Sequence, residues 1–146
     1  MSKKILLAAI NAKYIHSNLA VYCLDAYARK YSEAVKDGRV SVIYREFTIN
    51  QQIDEILEEI YREKPDVIGF SCYIWNISYV MTLIKELKVL LPHTDIWLGG
   101  PEVSYNREEI LQEHPEITGV MCGEGERVFA SLCDYYGNDT EGEFDS

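Results

Sequence analysis

Four short stretches of the chain hold residues that a hydrophobic core does not require. Asn11-Ala12-Lys13-Tyr14-Ile15-His16-Ser17 offers an amide, an imidazole, a hydroxyl and a ring. Ser71-Cys72-Tyr73-Ile74-Trp75-Asn76 adds a second hydroxyl and two more rings. Gly99-Gly100-Pro101-Glu102-Val103-Ser104 first removes two side chains and then supplies a carboxylate, and Cys122-Gly123-Glu124-Gly125-Glu126 alternates glycine with glutamate. The glycine pair permits close backbone approach or a positive φ, or makes a plain turn before Pro101. Ser71 either donates into a crevice or bonds its own backbone. Tyr14, His16, Tyr73 and Trp75 together suit the rim of a site for a broad, flat ligand, although each ring alone also suits packing. Glu124 and Glu126 either complement a helix dipole or contact a ligand or a following domain. His16 beside Glu102 or Glu124 would be the general-base arrangement of a small-molecule enzyme.

These stretches fall at regular places in a repeating pattern. Apolar runs of strand length occur at Lys4–Ile10, Val40–Glu46, Asp66–Phe70, Asp95–Leu98 and Thr118–Met121. The first, third and fourth are continuous rather than alternating, as expected for strands covered on both faces. Helical periodicity lies between them. Leu19, Tyr22, Cys23, Ala26 and Tyr27 share a face after a cap at Ser17 or Asn18; Ile53, Ile56, Leu57 and Ile60 share another after a cap at Asn50. Ile77, Val80, Met81, Ile84, Leu87 and Leu91 form the longest stripe, and shorter helices are expected over Glu108–Gln112 and Glu126–Tyr135. Pro65 and Pro92 stand where the second and third helices must stop. Such alternation demands parallel strands joined by right-handed crossovers. The expected architecture is a three-layer α/β domain with a five-stranded, doubly wound parallel sheet in the order 2-1-3-4-5, the flavodoxin-like arrangement. Its ligand crevice lies at the C-terminal strand ends, where all four unusual stretches would converge.

Composition narrows the function. Of 146 residues, 47% are apolar and 26% charged, the balance of a globular domain. The net charge of −10 excludes nucleic acid and anionic membrane surfaces as partners, since both require clustered Lys and Arg. The apolar run at Ile5–Ile10 is far shorter than the about 20 residues that span a bilayer, and no cleavage site follows it. A cytoplasmic protein is expected, with Cys23, Cys72, Cys122 and Cys133 as buried free thiols rather than a zinc site, since none form a CxxC pair. Residues 137–146 are polar and acidic and read as a tail or linker after a domain over 1–136. A phosphoacceptor receiver would need acidic residues after the first strand, Asp after the third and Lys after the fifth; Asn11, Ser71 and Cys122 stand there instead. GxGxxG and Walker P-loop sequences are absent, and the loop after the first strand lacks the glycines of a flavin phosphate cradle.

The stretches Asn11–Asn18, Gly69-Phe70-Ser71-Cys72-Tyr73-Ile74-Trp75-Asn76, Gly99–Ser104 and Gly123-Glu124-Gly125-Glu126 together resemble the cobalamin (B12)-binding domain that precedes the radical S-adenosylmethionine barrel of class B methylases and of anaerobic magnesium-protoporphyrin ester cyclase relatives. The resemblance implies a corrinoid ligand. Its nucleotide tail would pass Ser71 and Gly99-Gly100, and its ring would lie over Tyr14, Ile15, Tyr73 and Trp75. Asn11, His16, Ser17, Pro101, Glu102, Gly123, Glu124 and Gly125 would complete the cofactor site. The Asp-x-His-x-x-Gly loop of methionine-synthase-type domains is missing: Tyr14 stands two before His16 and Leu19 three after it. The resemblance therefore implies base-off cobalamin without a histidine ligand. The CxxxCxxC cluster triad is also absent, so S-adenosylmethionine and a 4Fe-4S cluster would belong to a barrel domain supplied in cis or in trans. The domain would carry the cofactor for methyl transfer or related radical chemistry without turnover of its own. A flavodoxin-like interaction domain that has lost its ligand is the alternative.

Overall fold

The computed structural model describes residues 3–11, 19–48, 51–71, 77–100, 107–121 and 125–137. Five strands are present among them: β1 (Lys3–Asn11), β2 (Val40–Thr48), β3 (Val67–Ser71), β4 (Asp95–Gly99) and β5 (Gly119–Val120). The helices are α1 (Leu19–Tyr31), α2 (Glu33–Lys36), α3 (Ile53–Glu63), α4 (Ile77–Leu90), α5 (Arg107–Glu113) and α6 (Gly125–Gly137). The sheet is parallel throughout and its order is β2-β1-β3-β4-β5, as the alternation of elements predicts. Although β5 is two residues long, Thr118 N–H donates to Ile96 O and Met121 N–H to Leu98 O, both at 2.7 Å. Backbone pairing therefore reaches both ends of the expected strand.

Side-chain alternation divides the core in two. Leu6, Ala8, Ile10, Ile68, Phe70, Ile96, Leu98 and Val120 face α3 and α4, where Ile56, Leu57, Ile60, Val80, Leu83, Ile84 and Leu87 meet them. Partly buried Ile77, Met81, Leu91, Ile110 and Leu111 pack around that cluster. Ile5, Leu7, Ala9, Val40, Val42, Val67 and Trp97 point the other way, against Ala28, Ala34, Phe129, Leu132 and Cys133 of α1, α2 and α6. Apolar burial on both faces is why the central strands read as continuous apolar runs.

Several local expectations change. Between α1 and β2 the chain makes an additional short helix, α2, capped by Ser32, whose Oγ accepts from Val35 N–H and donates to Asp134 at 2.7 Å. Asp134 also accepts from Ala34 N–H at 3.0 Å, which clamps the start of α2 to α6. In α1, Asp25 and Ala28 are buried while Ala26, expected inside, is exposed. The expected caps Ser17, Asn18 and Asn50 lie outside the described residues. Gln52 holds the cap position of α3 without a side-chain cap bond, and Gln51 Oε1 instead accepts from Thr48 N–H. At the other end of α3, Lys64 turns left-handed (φ 47°) and its N–H bonds back to Ile60 and Tyr61, just before Pro65 bars continuation. Cys133 is a buried free thiol, but Cys23 is only half-buried; Cys72 and Cys122 lie outside the described residues.

Candidate functional site

A parallel sheet gathers its C-terminal strand ends on one edge, and the register fixes which residues lie side by side there. Ala9 of β1 pairs with Ser71 of β3, and Ser71 with Gly99 of β4. All three fall on the α1/α6 face, continuing the alternation of Leu7, Gly69 and Trp97 one row below. The row Ala9–Ser71–Gly99 thus crosses three neighbouring strands with nothing larger than a serine hydroxymethyl. Beneath Ser71, Gly69 extends the opening by one further position. Asn11 ends β1 beyond this row and is 2% exposed, a buried amide at the edge where strand order reverses.

The two adjacent glycines have different reasons to be glycine. Gly100 has φ 111°, a conformation that side chains strongly disfavour. Gly99 is limited by space: a Cβ there would stand 3.3 Å from the Met121 methyl carbon. A Cβ on Gly69 would stand 3.3 Å from Leu7 and 3.8 Å from the same methyl. The result is a shallow trough in the sheet's α1/α6 face, floored by backbone and occupied by the Met121 methyl.

Lower on the same face Leu7 and Trp97 restore large side chains, and the Trp97 ring lies over Gly119. Trp97 Nε1–H donates to Tyr136 Oη at 2.9 Å, and Tyr136 O–H donates to Asp95 at 2.6 Å. Burial, and then the bond to the Asp95 carboxylate, hold the Tyr136 proton well above the ordinary phenol range. Cys133 is likewise held protonated by burial, with Asp134 and Asp25 adding to the effect. Neither group is poised to react near neutrality, so both belong to the wall rather than to chemistry.

Of the residues expected in the site, Asn11, Ser71, Gly99 and Gly100 are brought to this edge, and Gly125 opens α6. Tyr14, Ile15, His16 and Ser17 after β1, Tyr73 and Trp75 after β3, Pro101 and Glu102 after β4, and Gly123 and Glu124 before α6 lie outside the described residues. Reading the loops alone missed Ala9, Gly69 and Met121. The signal was available in the period-2 positions Val67, Gly69 and Ser71, but an unbroken apolar run conceals which residues share a face.

The family model for the B12 binding domain matches residues 5–133. The chain belongs to the B12-binding domain family. It is a cobalamin-binding domain related to radical S-adenosylmethionine methyltransferases. It is 30% identical over 107 residues to the cobalamin-dependent radical SAM methyltransferase TokK of Streptomyces tokunonensis, covering 71% of this chain and 15% of that enzyme. The anaerobic magnesium-protoporphyrin IX monomethyl ester cyclase of Rubrivivax gelatinosus is 29% identical over 108 residues, covering 73% of this chain and 19% of its own length. The domain thus spans less than a fifth of either enzyme. In fold it superposes on the cobalamin-dependent radical enzyme OxsB, solved with aqua-cobalamin and S-adenosylmethionine, with a TM-score of 0.74 at 16% identity over 96% of this chain and 19% of that one. A cobalamin-binding protein of Desulfitobacterium hafniense gives 0.63 at 14% identity, over 92% of this chain and 58% of that one. Among the described residues, no helix is long and apolar enough to cross a membrane.

The chemistry of the trough fits the family's ligand. Strand ends that carry only Ala9, Ser71 and Gly99 are of the thin kind that a slender ligand arm needs, and Met121 lies over them in this structure.

Proposed function

We propose that the domain holds cobalamin base-off, with the nucleotide tail in the Ala9–Ser71–Gly99 trough and the corrin ring across the strand ends. The observation that carries this reading is the run of minimal side chains across three adjacent strands at the edge where strand order reverses. Tyr14, Ile15, Tyr73 and Trp75 would lie under the ring. Pro101 and Glu102, with Gly123, Glu124 and Gly125, would border the tail. His16 would not ligate cobalt, because Tyr14 replaces the carboxylate that orients such an imidazole and fixes its tautomer. When bound, the corrinoid supplies a cobalt centre for methyl transfer or related radical chemistry. The domain binds and orients that centre, and a radical SAM barrel, in cis or in trans, would provide S-adenosylmethionine, the 4Fe-4S cluster and a wall over the upper corrin face.

Mixing the protein with hydroxocobalamin, desalting it and recording the visible spectrum tests the reading. A retained corrinoid with a base-off spectrum, unchanged in His16→Ala, is expected. Loss of all corrinoid on desalting would favour the ligand-free interaction domain. A spectral shift in His16→Ala, or a transition near the free imidazole value of about 6.5 that this variant abolishes, would restore His16 as a ligand.

A further inference from the structure

Two large side chains lie over the glycines of the α1/α6 face, and they are held differently. Trp97 is pinned by the bond from its indole N–H to Tyr136, which is itself bonded to Asp95. Met121 is tied to β4 through its backbone, whose N–H donates to Leu98 O at 2.7 Å, and its side chain is held by apolar packing among the described residues. Its thioether has no comparable polar anchor, and its methyl carbon is the nearest atom to a Cβ on Gly99 and the second nearest on Gly69. Although it stands at the end of an edge strand, Met121 is only 7% exposed, because its side chain lies down in the trough. Methionine is unbranched, with three rotatable side-chain bonds, and can change course without moving the backbone.

We propose that Met121 is a retractable stopper of the trough, filling it in the ligand-free protein and swinging out as a nucleotide tail enters. The proposal rests on the reading that cobalamin's tail occupies this trough. Leu7, one row lower, would stand 3.3 Å from a Cβ on Gly69 and sets how deep the tail can go. A filled trough keeps the apolar wall of α6 dry, so the protein need not hold an empty channel. It also makes the stopper a specificity device. A tailed corrinoid must displace Met121, whereas cobinamide, which has the ring and lacks the nucleotide, need not.

The test compares cobalamin with cobinamide on three forms of the 146-residue protein. Met121→Ala removes the stopper, and cobalamin should bind about tenfold more tightly relative to cobinamide, since no apolar side chain is expelled. Met121→Ile keeps the volume but places a branch at Cβ that no rotamer lifts clear of Gly99; cobalamin should bind about tenfold more weakly while cobinamide is unaffected. Thermal melts and cobinamide binding report whether each variant folds. In wild type with methyl-labelled methionine, cobalamin should move the Met121 methyl resonance and leave Met81, on the opposite face of the sheet, in place. An unchanged cobalamin-to-cobinamide ratio in both variants with a stationary Met121 methyl would overturn the stopper, while retention of cobalamin by wild type would leave the binding reading intact. Failure of all three forms to bind cobalamin would overturn both.

Discussion

At the C-terminal edge the same strands present opposite solutions on their two faces. Towards α3 and α4, the row Ala8–Phe70–Leu98–Val120 carries a full set of apolar side chains, with Phe70 1% and Leu98 0% exposed. Towards α1 and α6, one residue further along each strand, the row is Ala9–Ser71–Gly99. Close packing on the first face anchors the sheet, while thin side chains on the second leave room that Met121 fills. The pleat separates the two rows, so adjacent residues on one strand serve packing on one face and, in the function proposed, binding on the other without sharing space.

Substitutions on the two rows should therefore separate in what they damage. The largest effect on stability is expected from Phe70→Ala, which leaves a cavity among Ile10, Leu98 and the α4 stripe. Chemical denaturation should show a loss of about 3–5 kcal/mol, with corrinoid retention preserved wherever the protein remains folded. Gly99→Ala should do the reverse. The nearest atom to the new Cβ is the far end of a flexible side chain, so unfolding should change by no more than about 1 kcal/mol. Corrinoid affinity measured by titration should fall about tenfold, because one methyl narrows the cradle. Equal effects of both substitutions on binding would remove the distinction between the faces.

The smallest effect concerns the larger side chains lower on that face. Tyr136 and Cys133 bind their protons more tightly in the folded protein than in the unfolded chain. Their contribution is complete below the unfolded values, about 8.5 for the thiol and about 10 for the phenol, and declines as pH rises above them. Denaturation midpoints should therefore fall with increasing alkalinity from about pH 9. Tyr136→Phe should cost about 1 kcal/mol near neutrality by breaking the bonds to Trp97 and Asp95. It should also make the alkaline decline shallower, leaving the Cys133 component. A decline as steep as that of wild type would place its origin elsewhere.

The legible parts of the fold were those governed by local pattern. Five apolar runs separated by helical stripes were enough for parallel strands and their order, and Pro65 and Pro92 marked helix ends correctly. Long-range contacts decided what periodicity misread. Asp134 ties the start of α2 to α6, and no window of sequence around α1 and α2 contains that carboxylate. Loop composition picked out Asn11, Ser71, Gly99 and Gly100, which the strands bring to one edge of the sheet. Gly99 and Gly100 looked like one feature, yet φ constrains one and a neighbouring methyl the other.

The sequence by itself determined the layer architecture and the family, because apolar periodicity and short glycine-bearing loops are local properties written along the chain. Only the tertiary structure decided the shape of the trough. Ala9, Ser71, Gly99 and Met121 come from four different strand ends, separated by 22 to 62 residues of chain from one to the next, and become neighbours through register alone. A hydrogen-bond ladder displaced by one residue would turn each of them to the other face, so no reading of one segment at a time can recover their company.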